Sequence, residues 1–199
     1  MHQQLLQIVT QQFGLQVVEQ RSPLLSPKPA PIGRLLDRLE GGIDLIYPNT
    51  NEKTRAEVVV APILLHLAFT YQLSLYCGEG FNIDLEAGLS GTVDHLFSRA
   101  NPGRSTIQPA ITTVIETKSN RYDTVSHCLV QMVSFQHWNA STDIVYGVVT
   151  TGLMWRFLKL EGTTVTIDLT DYPLFPIHEL LSILAPMVSQ KSWKPELTF

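Results

Sequence analysis

Apolar residues recur at helical spacing in several parts of the chain. The longest such stretch runs from Asn51 to about Tyr71 and is apolar on nearly all sides, which predicts a buried helix. Pro62 lies inside it and lacks a backbone N–H, so we expect the helix to bend or divide at that point. The same spacing predicts further helices over residues 122–139 and 176–190.

Alternating or continuous apolar runs, separated by glycine, asparagine and proline, predict strands between and after these helices. The predicted strands are 73–84, 89–98, 109–118, 143–150, 153–160 and 163–169. The elements therefore follow the order helix, three strands, helix, strand, hairpin and closing helix. This order predicts an α/β domain with a mixed sheet, in which the second helix is a crossover connection.

The N-terminal part of the chain has a different pattern. Residues 1–20 predict a short helix followed by a short strand, and residues 32–39 predict another short helix. The proline-rich segment 21–34 excludes a helix and favours an extended connector. We interpret residues 1–48 as an N-terminal extension packed on the core, and residues 49–199 as the main domain.

Composition narrows the class of protein. The chain has 44% hydrophobic and 16% charged residues, a balance that argues against a disordered body. Its net charge is −4 and it contains no run of Lys or Arg, which argues mildly against a nucleic-acid binder. Cys77 and Cys128 have no metal-ligand spacing and predict reduced, buried thiols. Without a leader or a membrane span in the sequence, we expect a cytoplasmic protein with no membrane partner.

Charged residues stand within two of the predicted strands. Glu116 and Lys118 end an apolar strand, and because side chains alternate they share one face. Charges there are costly unless they are paired or bound to a metal ion. If the strands form a meander, Asp94 lies beside Glu116, and a divalent cation would relieve the repulsion between the two carboxylates. The ammonium of Lys118 could orient a water, help to deprotonate it, or hold a phosphate oxygen.

This arrangement resembles the PD-(D/E)XK nuclease superfamily. The matching motifs are Gly91-x-x-Asp94, Ile115-Glu116-Thr117-Lys118 and Gln131-x-x-x-Phe135, the last of which is similar to the Gln-x-x-x-Tyr motif of RecB-type nucleases. The start of the first long helix is also similar to the start of the nuclease domain in type I restriction motor subunits. The resemblance covers about residues 50–152. It implies a restriction-endonuclease-like core of helix, three-strand meander, helix and strand.

The resemblance also implies an activity, which is Mg²⁺-dependent hydrolysis of phosphodiester bonds in nucleic acid, with DNA favoured as substrate and Mn²⁺ as a substitute metal. Asp94, Glu116 and the carbonyl of Thr117 would hold the metal ion. Lys118 would position the attacking water and offset the developing charge. Gln131, on the following helix, would join the site.

A glutamate of the first long helix often completes such a site in this superfamily, and two residues qualify here. Glu52 and Glu57 are five positions apart, or about 140° around an α-helix, so both should not face one metal ion. Asn49 and Glu52 resemble a capping box, which offers Glu52 a structural role. Glu57 lies among apolar residues, so we favour Glu57 while the choice stays open.

Several structural roles compete with the catalytic ones. Asp94 could pair with Arg99 at a strand end, and His127 or Gln136 could take the place assigned to Gln131. Alternation along the strand places His95 opposite Asp94, which predicts a neutral core histidine. The arginines in loops flanking the site could contact phosphates; these are Arg99, Arg104 and Arg121.

A second function of a different class also stays open. A restriction-endonuclease-like module without catalysis could serve protein assembly or nucleic-acid binding. The acidic net charge favours it, because attraction to phosphates supplies most non-specific affinity for nucleic acid. A homodimer could place two sites on one duplex and join two weak patches, and a partner protein is the other expected binding partner.

Overall fold

A mixed sheet with helices on both faces forms the framework of the computed structural model, which describes residues 2–46, 50–100, 106–107, 110–118, 121–140 and 143–189. The helices are α1 (His2–Gln12), α2 (Leu35–Ile43), α3 (Glu52–Arg55), α4 (Ala61–Tyr71), α5 (Arg121–Trp138) and α6 (Ile177–Val188). The strands are β1 (Gln16–Gln20), β2 (Ser74–Asp84), β3 (Leu89–Ser98), β4 (Ile111–Thr117), β5 (Val145–Thr150), β6 (Met154–Glu161), β7 (Thr164–Asp168) and β8 (Tyr172–Pro173).

The strands lie in the order β1-β7-β6-β5-β4-β3-β2, with the short β8 paired to β6. β2, β3 and β4 form an antiparallel meander, and β5 lies parallel to β4 after the connection through α5. The predicted mixed sheet and crossover helix are therefore confirmed. β5 is the central strand and is buried along its whole length, as expected for its continuous apolar run.

The helices cover the two faces of the sheet unequally. α1 and α5 pack on one face, while α2, α4 and α6 pack on the other. Gly147 of β5 shows how closely α5 approaches the sheet. A Cβ at this position would lie 2.5 Å from the Met132 sulfur and 2.8 Å from the Cys128 sulfur. A larger residue at this position would therefore push α5 away from β5.

The helix that we call the site helix spans residues 52–71 and consists of α3, a π-helical segment (Ala56–Val60) and α4. It begins at Asn51, whose side chain accepts a hydrogen bond from the Thr54 N–H at 2.8 Å. The predicted cap, Asn49, lies outside the described residues. Pro62 is the second residue of α4, directly after the π-helical segment and Ala61. The helix is therefore irregular near Pro62, as predicted, and the irregularity is the π-helical segment.

The prediction that this helix is buried on nearly all sides is wrong. Leu65 is 43% exposed and Phe69 is 81% exposed, so one side of α4 faces solvent. A helix that is apolar on all sides has no sequence pattern that shows which side is buried. Here the sheet and α6 cover only the side opposite to Leu65 and Phe69.

Residues 2–46 join the same sheet and cores. β1 extends the sheet as a parallel partner of β7, and α2 packs so closely on the site helix that a Cβ on Gly42 would meet Val58 at 2.8 Å. The predicted boundary between residues 48 and 49 lies outside the described residues, so the division into extension and domain stays a prediction. Within the described ranges, no helix has both the length and the apolar character needed to cross a bilayer.

Asn139 connects the end of α5 to the start of β4. Its Oδ1 accepts hydrogen bonds from the N–H groups of Ala110 and Ile111 at 2.9 and 3.0 Å, and its Nδ2 donates to the Ile111 carbonyl at 2.8 Å. Asn139→Ala should lower the free energy of unfolding by about 2 kcal/mol, because it removes three hydrogen bonds at once. Urea denaturation would measure the change. Asn82→Ala, on an exposed part of β2, is the control, and equal stability of the two variants would contradict the assignment.

Candidate active site

The candidate site lies where β3 and β4 separate. Their ladder ends at the pair His95–Ile115, so Asp94 and Glu116 would form the next pair. Instead, their carboxylates accept backbone hydrogen bonds across the gap. The Asp94 N–H donates to Glu116 Oε1 at 3.4 Å, and the Thr117 N–H donates to Asp94 Oδ2 at 2.9 Å. The meander thus places the two carboxylates side by side, as the sequence predicted.

Lys118 joins this pair at the end of β4. Its Nζ lies 3.2 Å from Asp94 Oδ2, 3.3 Å from Glu52 Oε1 and 3.7 Å from Glu116 Oε2. Its backbone N–H donates to the Thr150 carbonyl at 3.0 Å, so β5 holds the base of the side chain. Three carboxylates face one ammonium, and the group is negative overall when all are ionised. Such a group attracts a cation.

Gln131 reaches this group from α5. Its Nε2 donates to Glu116 Oε1 at 2.6 Å and to the Thr92 carbonyl at 3.2 Å, which fixes the orientation of the Glu116 carboxylate. The alternatives lie elsewhere, since His127 is exposed and Gln136 donates to the Asp143 carbonyl. Phe135, one turn further along α5, is buried against Phe81 with ring centroids 5.0 Å apart.

One expectation about the glutamates of the site helix is wrong. Glu57 is exposed rather than enclosed by apolar residues, while the carboxylate of Glu52, the alternative, contacts Lys118. Both line the same cavity. Glu52 lies in α3 and Glu57 in the π-helical segment that follows, where the turn is wider than in an α-helix, so the angle of about 140° expected for an ideal α-helix does not apply to this pair. A role for Glu57 in the site stays a prediction.

The cavity has a volume of about 330 Å³ and opens between the site helix and strands β2, β3 and β4. Its wall includes Asp94 and Thr117 together with Glu52 and Glu57. Gly78 of β2 lies opposite Asp94 in the register and has a φ of 67°, a conformation that favours glycine. The backbone across from Asp94 therefore carries no side chain, which keeps the cavity open on that side.

Burial and charge shift the pKa values of this group. Burial, reinforced by the neighbouring Asp94, raises the pKa of Glu116, although the hydrogen bond from Gln131 and the charge of Lys118 oppose this. Burial lowers the pKa of Lys118, but Glu116, Asp94 and Glu52 outweigh it, so the pKa is raised overall. Lys118 therefore remains an ammonium at neutral pH. It can hold an anion or a water, and the expectation that it helps to deprotonate a water is not favoured.

The donor atoms suit Mg²⁺ in type. Mg²⁺ commonly takes one or two carboxylates and keeps several waters, and Asp94 and Glu116 offer two carboxylates side by side. Among the described residues, no three His, Cys, Asp or Glu side chains are placed to hold a metal ion by themselves. A bound Mg²⁺ would thus complete its shell with carbonyl oxygen, water or substrate. The ligand set Asp94, Glu116 and Thr117 stays a prediction.

Two cavity residues were missed by the sequence reasoning. His95 is buried, as predicted, and burial lowers its pKa against the opposing charges of Asp94 and Glu57. It nevertheless lines the cavity, as does Cys77, its partner across β2 and β3. Cys77 is exposed, which corrects the prediction of a buried thiol, and Cys128 is buried. Only the register of β2 against β3 brings them together, and the sequence carries no signal for it.

In the described part of the chain, no contact is seen between the predicted flanking arginines and the site. Arg99 donates from its Nη2 to the Val188 carbonyl of α6 at 3.2 Å, so the alternative pairing with Asp94 is not formed. Arg104 and the side chain of Arg121 lie outside the described part of the chain.

The assembled group can bind a cation through its carboxylates and hold an anionic oxygen through Lys118. That combination suits a phosphate ester, whose charge is neutralised by a cation on one side and an ammonium on the other. No protein-family model matches this chain, and no curated protein matches it.

Proposed function

We propose that this protein hydrolyses phosphodiester bonds in nucleic acid, with DNA favoured over RNA, in a Mg²⁺-dependent reaction. The observation that carries the proposal is the convergence of Asp94, Glu116 and Lys118 where β3 and β4 separate. The order of elements around this point supports a restriction-endonuclease-like core, because a helix, a three-strand meander, a crossover helix and a parallel strand follow one another.

Asp94 and Glu116 would hold Mg²⁺ in this proposal, with the Thr117 carbonyl as a further ligand. When bound, the ion polarises a phosphoryl oxygen and lowers the pKa of a water. Lys118 stays protonated and would hold a phosphate oxygen, where it offsets charge that develops during bond breaking. Gln131 keeps one oxygen of Glu116 engaged and so directs the other towards Lys118.

Cleavage should depend on a divalent cation. Purified protein is incubated with supercoiled plasmid, single-stranded DNA and RNA in Mg²⁺, in Mn²⁺ or in EDTA. We expect products in both metals and none in EDTA, because the paired carboxylates need a cation to approach a phosphate. Gel electrophoresis separates the products. Cleavage that persists in EDTA, or its absence on every substrate, would count against the proposal.

The second candidate is a non-catalytic module that acts in protein assembly or nucleic-acid binding. One observation favours it: Lys118 already lies within 4 Å of Glu52, Asp94 and Glu116, so the carboxylates are partly neutralised without a metal ion. The same assay separates the two candidates, because the module would leave every substrate intact in Mg²⁺ and Mn²⁺.

A further inference from the structure

A second group of basic and aromatic side chains lies between α2 and the C-terminal half of the site helix. Arg34, Arg38, His66 and Phe69 surround a cavity of about 210 Å³ between α2 and α4, and we call this group the basic-aromatic patch. Both arginines are exposed and lie one turn apart, and the Phe69 ring is 81% exposed. A ligand in this cavity can therefore contact an aromatic ring and two guanidinium groups at the same time.

The charges of the patch are available to a ligand. In the part of the chain that the structure describes, neither the Arg34 nor the Arg38 guanidinium forms an ion pair or a hydrogen bond, although Asp37 lies on the same helix. Arg34 also begins α2 without a side-chain cap, so the partial positive charge of the helix N-terminus adds to the patch. Among the described residues, the lining of this cavity contains two guanidinium groups and no carboxylate, although Asp37 and Glu40 lie on the same helix and the net charge of the chain is −4.

Packing holds the patch in place before any ligand binds. The His66 Nε2 donates to the Pro31 carbonyl at 2.6 Å, which ties the proline-rich connector to α4. Gly33 follows with a φ of 54° and brings the start of α2 against the His66 ring. A ligand would thus meet arginines whose backbone is already ordered, which lowers the entropic cost of binding.

The site helix contributes residues to both the active-site cavity and the basic-aromatic patch. Glu57 lines the active-site cavity and Phe69 lies twelve residues further along, which corresponds to about 18 Å at about 1.5 Å per residue. Glu57, Leu65 and Phe69 are all exposed, so solvent reaches the helix between the two sites. A few nucleotides of extended strand span this distance.

We propose that the basic-aromatic patch binds single-stranded nucleic acid, with a base stacked on Phe69 and phosphates held by Arg34 and Arg38. The binding itself does not depend on the proposed nuclease activity. Only the role of the bound strand as a substrate rests on that proposed function. A single strand fits better than a duplex, because an exposed ring needs an unpaired base on which to stack. The patch would hold the substrate strand while the carboxylates and Lys118 act on it.

Binding is measured in EDTA, where no cleavage occurs, with a fluorescein-labelled oligothymidylate and fluorescence anisotropy. Phe69→Ala should weaken binding about tenfold through loss of stacking. Arg34→Ala and Arg38→Ala should each weaken it and lower the slope of log affinity against log salt by about 0.7. Leu85→Ala and Arg21→Ala are the matched controls, each removing an exposed apolar or basic residue elsewhere, and both should bind like the unmodified protein.

A second variant tests the stacking directly. Phe69→Trp places a fluorescent ring at the exposed position, and its emission should be quenched by the oligothymidylate beyond any change in the unmodified protein. Unchanged affinity in the alanine variants, or no added quenching in Phe69→Trp, would overturn the inference. The two proposals fail separately. A protein that binds the oligothymidylate but cleaves nothing would contradict only the proposed nuclease activity, and a protein that cleaves but whose binding is unchanged in the patch variants would contradict only the role of the patch.

Discussion

Lys118→Ala should reduce Mg²⁺-dependent cleavage by about 10²–10³-fold in kcat, because it removes a fixed cation from the position where charge develops on the phosphate. The side chain lies within 4 Å of three carboxylates, and the raised pKa keeps it charged throughout the neutral range. Single-turnover cleavage of a labelled DNA substrate at saturating enzyme would isolate the chemical step from substrate binding.

Two further variants test whether a loss of cleavage comes from the missing ammonium or from a damaged fold. Lys118→Met keeps most of the aliphatic stem and should be equally inactive, because the ammonium and not the packing is at issue. Lys159→Ala removes an ammonium that contacts only Glu161 on β6, at 2.6 Å, among the ion pairs of the described residues, and should cleave normally. A Lys118 variant that is folded by circular dichroism and cleaves at the unmodified rate would exclude the proposed role.

Glu116→Gln should make the protein more stable at neutral pH and inactive at the same time. Burial and the nearby Asp94 raise the pKa of Glu116 in the folded protein above its ordinary value of 4.5, so folding disfavours the ionised carboxylate. The unmodified protein therefore loses stability as the pH rises from about 4.5 through the raised pKa, and this loss persists at pH 7. Gln does not titrate, and it can still accept the hydrogen bond from Gln131.

The gain in stability of Glu116→Gln over the unmodified protein should increase with pH. Urea denaturation should show Glu116→Gln more stable than the unmodified protein at pH 7.5, with the difference shrinking towards pH 4, where Glu116 is protonated in both states. Glu161→Gln, on an exposed carboxylate paired with Lys159, is the control and should change little. A Glu116→Gln protein that is less stable than the unmodified protein at pH 7.5 would contradict the assignment.

Activity and stability should therefore move in opposite directions at Glu116. A neutral amide cannot balance a divalent cation as a carboxylate does, so cleavage should fall below detection in the same preparation that unfolds at higher urea concentration. This combination is typical of a residue kept for function at a cost in stability. It also separates a catalytic role from a structural one, because a purely structural glutamate would not show both changes.

Much of the fold could be predicted from the spacing of apolar residues within single segments of the sequence. Apolar periodicity located the strands around Asp94 and Glu116 to within a few residues, because each strand needs its own buried face whatever its partners are. The crossover between the third and fourth predicted strands follows from the helix between them, since parallel neighbours require such a connection. Alternation along β4 was enough to place Glu116 and Lys118 together.

Local sequence patterns could not predict whether Glu52 or Glu57 contacts Lys118. A π-helical segment forms between Arg55 and Ala61, and its wider turn depends on how the helix packs against α2 and the sheet. Apolar sequence neighbours favoured Glu57, but its side chain is exposed and it is Glu52 that contacts Lys118. Cys77 and His95 meet in the cavity for a similar reason, because register is set by the whole sheet.

By itself the sequence determined the α/β class and the order of elements. It also placed Asp94 within one strand and Glu116 and Lys118 at the end of the next, because these features depend on periods of two and of about 3.6 residues along one segment. Tertiary structure alone decided that Glu52 contacts Lys118 and that Phe69 remains exposed beside Arg34. Both depend on which segments cover the site helix. That is a balance of packing across the whole fold, to which residues far apart in the chain contribute together.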